Sequence, residues 1–551
     1  MPQPFDLETS PSSAVLDTAH VGHIHGAFGT IRQDDASPRT SWSARLRTLL
    51  AILGPGLIVM VGDNDAGAFG TYTQAGQNYG TSLMWTLLLL VPVLYVNQEM
   101  VLRLGAVARV GHARLILERF GKFWGAFSVI DLFLLNGLTI VTEFIGISLA
   151  LGYLGIPKEA GVALAAVLVM AAGATGDFRR FERFSLILCF GSLLLVPIVV
   201  IAHPPMHRLA HDMLVPQLPS YGKLSDVMLL IIGIVGTTIA PWQLFFQQSY
   251  VIDKRITPRF IGYERADLWL GIVLVIIGAA AMMAFSAAIF TGHAEFGGFT
   301  DAGGIAAGLE KYAGKTAGTL FAVALIDASI ICAAAASLST AYALGDVLSL
   351  KHSLHRKMSD AKGFYAVYAG LIVLAAALTL TPGAPLGLLT NAVQTLAGVL
   401  LPSATVFLLL LCNDRAVLGP WVNGRALNIF TGGVIAILVV MSVILTASVL
   451  WPGIEGGTIV EILAGGSLLA AVTAAVVRLL DQDPGATDAP VMDTMAKEAW
   501  VMPPLQRLPP VRLSLQSRVW MLVLRGYLIA AVGLVLVRIL QLAFNVGHPF
   551  S

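Results

Sequence analysis

Asp63, Asn64 and Asp65 stand about ten residues inside an otherwise apolar segment, GPGLIVMVGDNDAGAFGTYTQAG. At mid-bilayer depth an ionised carboxylate costs at least about 2.5 kcal/mol, so two of them together call for a cation. A distant segment, LLIIGIVGTTIAPWQLFFQQ, offers matching donors: the Thr238 hydroxyl, the Gln243 amide and the carbonyls from Thr237 to Ala240 freed by Pro241. Carboxylates, amides, carbonyls and water suit hard ions such as Mg²⁺, Mn²⁺ or Ca²⁺, whereas thiolates and thioethers favour later transition metals. The acids also have a purely structural reading as caps on a half-helix. A cap, however, needs one acid and no matching break elsewhere.

Both segments are long enough to cross a membrane, and both carry helix breakers at corresponding depth: Gly62, Gly67 and Gly70 in the first, Gly236 and Pro241 in the second. Backbone freed at that depth is tolerated only where it lines a cavity or meets other protein. Paired breaks in two halves of a chain point to a midplane substrate site in an inverted-repeat transporter. Composition agrees, with 56% of the 551 residues hydrophobic and 12% charged, against about 25% charged in soluble domains. Thirteen candidate spans can be drawn, at 47–76, 81–104, 123–152, 159–176, 184–202, 226–252, 266–291, 317–349, 364–382, 386–412, 426–451, 458–479 and 519–544. The expected class is therefore an all-α polytopic membrane protein.

Lys and Arg gather after every even-numbered span, for example Arg109, Arg114 and Arg119 after the second and Lys254, Arg255 and Arg259 after the sixth. By the positive-inside rule those loops and the N-terminus are cytoplasmic. Residues 1–44 read as a disordered cytoplasmic tail, 45–412 as the transport core, 413–480 as two added spans and 481–517 as a cytoplasmic linker. Residues 518–551 read as a C-terminal membrane segment, whose Arg538 leaves an interfacial helix open as an alternative. A net charge of +1 gives no bias towards nucleic acid. Walker A, HExxH and GxSxG sequences are absent, so the chain is not expected to be an enzyme.

Cys189, Cys332 and Cys412 lack metal or disulfide spacing and are expected to be packing residues. Glu143 either lines an aqueous path near the acids or hydrogen-bonds between helices. Glu99 is assigned to the inner vestibule, whereas Asp131, Asp327 and Glu461 are assigned interfacial places. His203, His207 and His211 share a loop interrupted by Pro204 and Pro205, which argues against a metal site there.

These motifs resemble the NRAMP (natural resistance-associated macrophage protein) divalent-metal transporters, from about Gly54 to Asn428. The family's GPG is matched by Gly54 to Gly56, and its DPGN by DAGA, Asp65 to Ala68. Its MPH becomes Ala240, Pro241 and Trp242, and Gln394 falls on the glutamine of its tenth helix. DRAVLGPWVNGRALN is close to a long family loop, and TIVTEFIG is similar to its TDLAEVIG. The resemblance implies a LeuT-type 5+5 inverted repeat with extra C-terminal transmembrane helices, and a divalent ion as cargo with no resident cofactor.

The departures refine what the resemblance implies. Asp65 matches the metal-binding aspartate, Ala68 removes the asparagine ligand, and Asp63 or Asn64 compensates. Ala240 removes the family's thioether, leaving oxygen donors from Asp65, Asp63, Asn64, Gln243, Gln394, Thr238 and the Ala240 carbonyl. Trp242, Pro241, Gly67, Ala68 and Glu143 line or gate the site. This set is similar to that of the NRAMP-related magnesium transporters and implies uptake of Mg²⁺, with Mn²⁺, across the cell inner membrane by a monomer in the lipid bilayer. Trp242 stands in for a titratable histidine and Ile140 for an aspartate, which disfavours proton coupling. A potential of about 100 mV on two charges supplies roughly 4.6 kcal/mol without protons. The alternatives are a proton-coupled Mn²⁺/Fe²⁺ importer using Glu143, a sodium-coupled amino-acid carrier, and a non-transporting sensor or scaffold.

Overall fold

The computed structural model describes residues 18–35, 37–238, 240–382, 393, 402–451, 454–480, 494–511, 515 and 517–529. After a 3-10 turn at Thr18–His20 comes a hairpin of β1 (Ile24–Gly26) and β2 (Gly29–Ile31), antiparallel with Ile24 opposite Ile31. Ile24, Ala27 and Ile31 are buried. Arg255 donates to the carbonyls of Ala19 and His23, and Arg183 to that of Ala27. This corrects the expectation of a disordered tail over 1–44: residues 18–35 carry enough apolar surface and backbone partners to dock. Residues 1–17 lie outside the described residues.

Helix α1 (Trp42–Ile52) meets α2 (Pro55–Val61) at a 55° bend. Pro55 suits a first helical turn because it has no N–H to leave unpaired. Gly54 takes φ 153°, a conformation side chains rarely tolerate. The Asp267 carboxylate accepts the N–H groups of Gly54 (3.1 Å) and Gly56 (2.6 Å), capping α2 from across the molecule. After Gly62 the chain is non-helical until α3 (Ala66–Tyr79). The first broken span thus has three pieces where the sequence pattern indicated two.

The first repeat continues through α4 (Trp85–Ala108), the short α5 (His112–Phe120), α6 (Lys122–Tyr153), α7 (Lys158–Gly173), and α8 (Phe178–Gly191) running into α9 (Leu195–Ala202). A loop helix, α10 (Met206–Leu214), leads to the second broken span, α11 (Leu224–Thr238) and α12 (Pro241–Asp253). Ala240 is extended (φ −104°, ψ 141°), as a residue before proline must be. Then follow α13 (Ile261–Phe290), the loop helix α14 (Ala302–Ala313), α15 (Lys315–Leu348), α16 (Lys362–Leu380) and α17 (Pro402–Cys412). A short α18 (Arg415–Leu418) precedes the two added helices, α19 (Arg425–Leu450) and α20 (Gly456–Leu480).

Among the described residues nine helices are long and apolar enough to cross a membrane, ten with the bent α1–α2 pair. The shortfall from thirteen has particular causes. The fourth expected span, α7, has only 16 residues, and parts of 386–412 and 519–544 lie outside the described residues. The long helices α6 and α15 pack along one another, joined by Asn136, whose amide donates to Thr340 Oγ1 at 2.8 Å. Every residue of α2 and of α12 is buried. On α3, by contrast, Ala66, Gly70, Gln74 and Asn78 form a partly exposed stripe at four-residue spacing. The break is therefore sealed at its α2/α12 end.

Candidate metal centre

Asp65 is the N-cap of α3. Its backbone is extended (φ −79°, ψ −174°) and its Oδ1 accepts the Ala68 N–H at 2.8 Å. The next orphan amide of that helix end, Ala66 N–H, donates to Glu143 Oε2 of α6 at 3.1 Å. Two carboxylates thus share one positive helix N-terminus. Gly146, one turn beyond Glu143, permits the approach, since a Cβ there would stand 2.6 Å from Ala66 Cβ. From α15, Cys332 brings its Sγ to 3.7 Å from Asp65 Oδ2. Among the described residues Asp65, Glu143 and Cys332 are the one acid, histidine or cysteine group whose ligand atoms lie within 4.8 Å of one another. Glu143 is fully buried and its Oε1 has no hydrogen-bond partner among the described residues.

The other expected ligands divide. Asp63 is buried beside α12, where Gln243 donates its amide to Asp63 Oδ1 while accepting from Gln98 Nε2 at 3.0 Å. Asp63 Oδ2 has no partner among the described residues. Asn64 turns away into α13, donating to the Val275 carbonyl at 3.2 Å over Gly278, where a Cβ would meet its Nδ2 at 2.3 Å. Thr238 is spent on a structural tie, donating to Ile234 O (2.6 Å) and meeting Tyr72 OH at 2.8 Å. The Ala240 carbonyl accepts the Gln243 N–H at 3.2 Å. Pro241 begins α12, and the buried Trp242 ring lies over Gly62, where a Cβ would touch its Cη2 at 3.4 Å. Gly67 and Ala68 form the buried first turn of α3. Gln394 lies outside the described residues.

The family model described as natural resistance-associated macrophage protein-like matches residues 56–448. The chain belongs to the NRAMP family. It is 30% identical over 401 residues to a protein of Ralstonia nicotianae named divalent metal cation transporter MntH, covering 69% of this chain and 86% of that one. A Xylella fastidiosa protein of the same name is 28% identical over 457 residues, covering 79% and 90%. The crystal structure of an Eremococcus coleocola manganese transporter, in complex with an aromatic bis-isothiourea substituted compound, superposes with TM-score 0.62 at 20% identity, covering 79% of this chain and 94% of that one. The fold is the LeuT-type 5+5 inverted repeat of NRAMP transporters, with additional helices at the C-terminal side, in a multi-pass membrane protein.

Within this NRAMP chain Cys332, expected as a packing residue, is buried and its thiol also meets Asp65. Its 267-residue separation from Asp65 hid it. One signal was legible: Ser329, Cys332, Ala333 and Ala336 make a small-residue face on α15 at helical spacing, which lets α6 and α3 approach. Asp131 accepts from Ser403 at 2.9 Å, and Glu99 is ion-paired with Arg265 (2.6 Å) and Arg103 (3.2 Å) on α4. Both are structural ties.

Proposed function

We propose that the protein carries divalent metal ions across a membrane by alternating access, with Asp65 as the principal ligand. The observation that carries this reading is the meeting of the Asp65 and Glu143 carboxylates at a helix break paired with a second break at Ala240–Pro241. Two acids confined there, with Asp63 close along the chain, repel one another until a cation joins them. Relatives named as divalent metal cation transporters support the same cargo. Asp63, held by Gln243, and Gln394 complete the shell directly or through water, and Trp242 closes its side.

Mg²⁺ and Mn²⁺ are the proposed ions, because Ala240 supplies no thioether and oxygen donors predominate. The proposed driving force is the membrane potential, with Trp242 and Ile140 where the family has titratable groups. The N-terminus is assigned to the cytoplasm of a cell whose inner membrane holds the protein as a monomer. A second reading, coupling to protons through Glu143, is favoured by one observation: its Oε1, without a hydrogen-bond partner among the described residues, stands at the centre itself.

Uptake of Mn²⁺ and Mg²⁺ into proteoliposomes separates the two. Entry under a negative-inside potential without a pH gradient supports the uncoupled carrier. Entry that requires inward protons and is lost in Glu143→Gln supports coupling, and no entry of either ion under either gradient contradicts metal transport.

A further inference from the structure

We infer that Cys332 is a metal ligand of the transport site, giving an O,O,S donor set with Asp65 and Glu143 that ranks Mn²⁺ and softer ions above Mg²⁺. This deepens the proposed function and rests on it. The sulfur is 3.7 Å from Asp65 Oδ2, and the three ligand atoms fit within 4.8 Å, the span of one coordination shell. The second, independent sign is Glu143 Oε1: fully buried, without a hydrogen-bond partner among the described residues, and at this same cluster. A buried polar atom left unpaired is costly, and an ion supplies the missing partner. Bound, the thiol gives its proton to water and ligates as thiolate. Such a ligand gains little with Mg²⁺ and much with Cd²⁺ or Zn²⁺, with Mn²⁺ between.

The test uses Cd²⁺ as a soft probe on a variant in which Cys189 and Cys412, both buried, are replaced by alanine, leaving Cys332 as the single cysteine. Saturating Cd²⁺ is expected to raise a sulfur-to-metal charge-transfer band in the ultraviolet, absent in Cys332→Ser. In transport, Cys332→Ser should weaken Cd²⁺ inhibition of Mn²⁺ uptake by on the order of tenfold or more. No band in the single-cysteine protein, or unchanged Cd²⁺ inhibition in Cys332→Ser, overturns the inference while leaving metal transport standing. Failure of the parent protein to take up any ion would instead sink the function it rests on. Serine is nearly isosteric, and the spectrum is read on protein that retains Cys332, so misfolding of a variant does not shield the claim.

A different observation carries a second inference: we propose that residues 18–35 latch the α2/α12 end of the break. Ala27 N–H donates to Glu182 Oε2 at 2.6 Å, and Glu182 Oε1 pairs with Lys254 at 2.7 Å. Lys254 in turn donates to the carbonyls of Ile52 and Leu53, at the α1–α2 bend. Glu182 and Lys254 are both fully buried. One hairpin amide thus completes a charge network joining α8, the end of α12 and the α1–α2 bend. Arg255, just past α12, holds Ala19 and His23, and Arg259 holds the Asp35 carbonyl at 2.7 Å. Residues 18–35 therefore touch α1, α8 and the end of α12, and an opening of the break that separates these elements must first release them. The hairpin is an autoinhibitory strap built into the fold.

Gly26→Val tests it, because a Cβ at Gly26 would stand 1.8 Å from the Ala51 carbonyl of α1 and must lift the hairpin. Ala27→Pro removes the amide donor itself. In proteoliposomes both are expected to raise the initial metal uptake rate several-fold and to expose a cysteine placed at Leu53 to a membrane-impermeant maleimide. Uptake that is unchanged or reduced in both variants, in protein that still elutes as a single species, overturns the latch.

Discussion

Cys332 Sγ on α15 and Asp65 Oδ2 at the start of α3 lie 3.7 Å apart. The contact joins the long, closely packed α6–α15 pair to the tip of a broken helix. Asp65 meanwhile caps α3, so in the proposed carrier one side chain would do both jobs that the sequence pattern set against each other. Oδ1 caps the helix, and Oδ2 faces the Cys332 thiol.

That double role makes Asp65→Asn informative. Asparagine caps as well as aspartate, whereas alanine at this position costs about 1 kcal/mol. Asp65→Asn is therefore expected to melt close to wild type yet lose nearly all metal uptake, and Asp65→Ala to lose uptake and melt lower. Scanning fluorimetry beside ion uptake checks both.

What could be read from sequence followed what short-range physics encodes. Pro241 and the glycines around Asp63 announced the breaks, because proline and glycine act on backbone they touch. Apolar runs announced the long helices. The partners of Asp65 were harder, because Glu143 and Cys332 reach it only through packing of α6 and α15. Asn64 looked equivalent to its neighbours, yet Gly278 and the Val275 carbonyl draw it into α13. The hairpin at 24–31 escaped because three-residue strands carry too little pattern, and its partners Glu182 and Arg255 are far along the chain.

Among the described residues Lys254 is the one cation paired to the buried Glu182, and its removal strands that carboxylate near Asp267 and Glu264, the latter without hydrogen-bond partners among the described residues. Breaking a buried pair by deleting one member costs about 3–5 kcal/mol. Lys254→Met is expected to lower the melting temperature strongly, and Lys254→Met with Glu182→Leu to recover part of the loss. Equal melting of the single variant and wild type would refute the network's structural weight.

His352, in the loop after α15, places Nε2 at 3.1 Å from Asp346 Oδ1 and Nδ1 at 2.7 Å from the Leu350 carbonyl. Both ring nitrogens face acceptors, the arrangement of a protonated imidazole. Burial alone lowers its pKa, but the hydrogen bond and charge of Asp346 outweigh that and raise it above the ordinary 6.5. A raised value means stability that is complete below the ordinary pKa and is lost as pH rises through the folded one. Wild type is expected to melt lower at about pH 9 than at about pH 6, with the difference diminished in His352→Gln.

Gly146→Val is expected to abolish uptake without touching a ligand atom, since its Cβ would collide with Ala66 at 2.6 Å and drive α6 from α3. Glu143 would then lose the Ala66 amide. Gly137→Val on the same helix, where the nearest atom to a Cβ is 3.9 Å away, serves as the tolerated control in the same uptake assay.

The most direct test of a metal site at Asp65 is Mn²⁺ uptake into proteoliposomes under an imposed negative potential, comparing wild type with Asp65→Asn of matched thermal stability. Uptake by wild type that Asp65→Asn reduces by on the order of a hundredfold is the predicted result. Equal uptake by the two proteins would contradict the account.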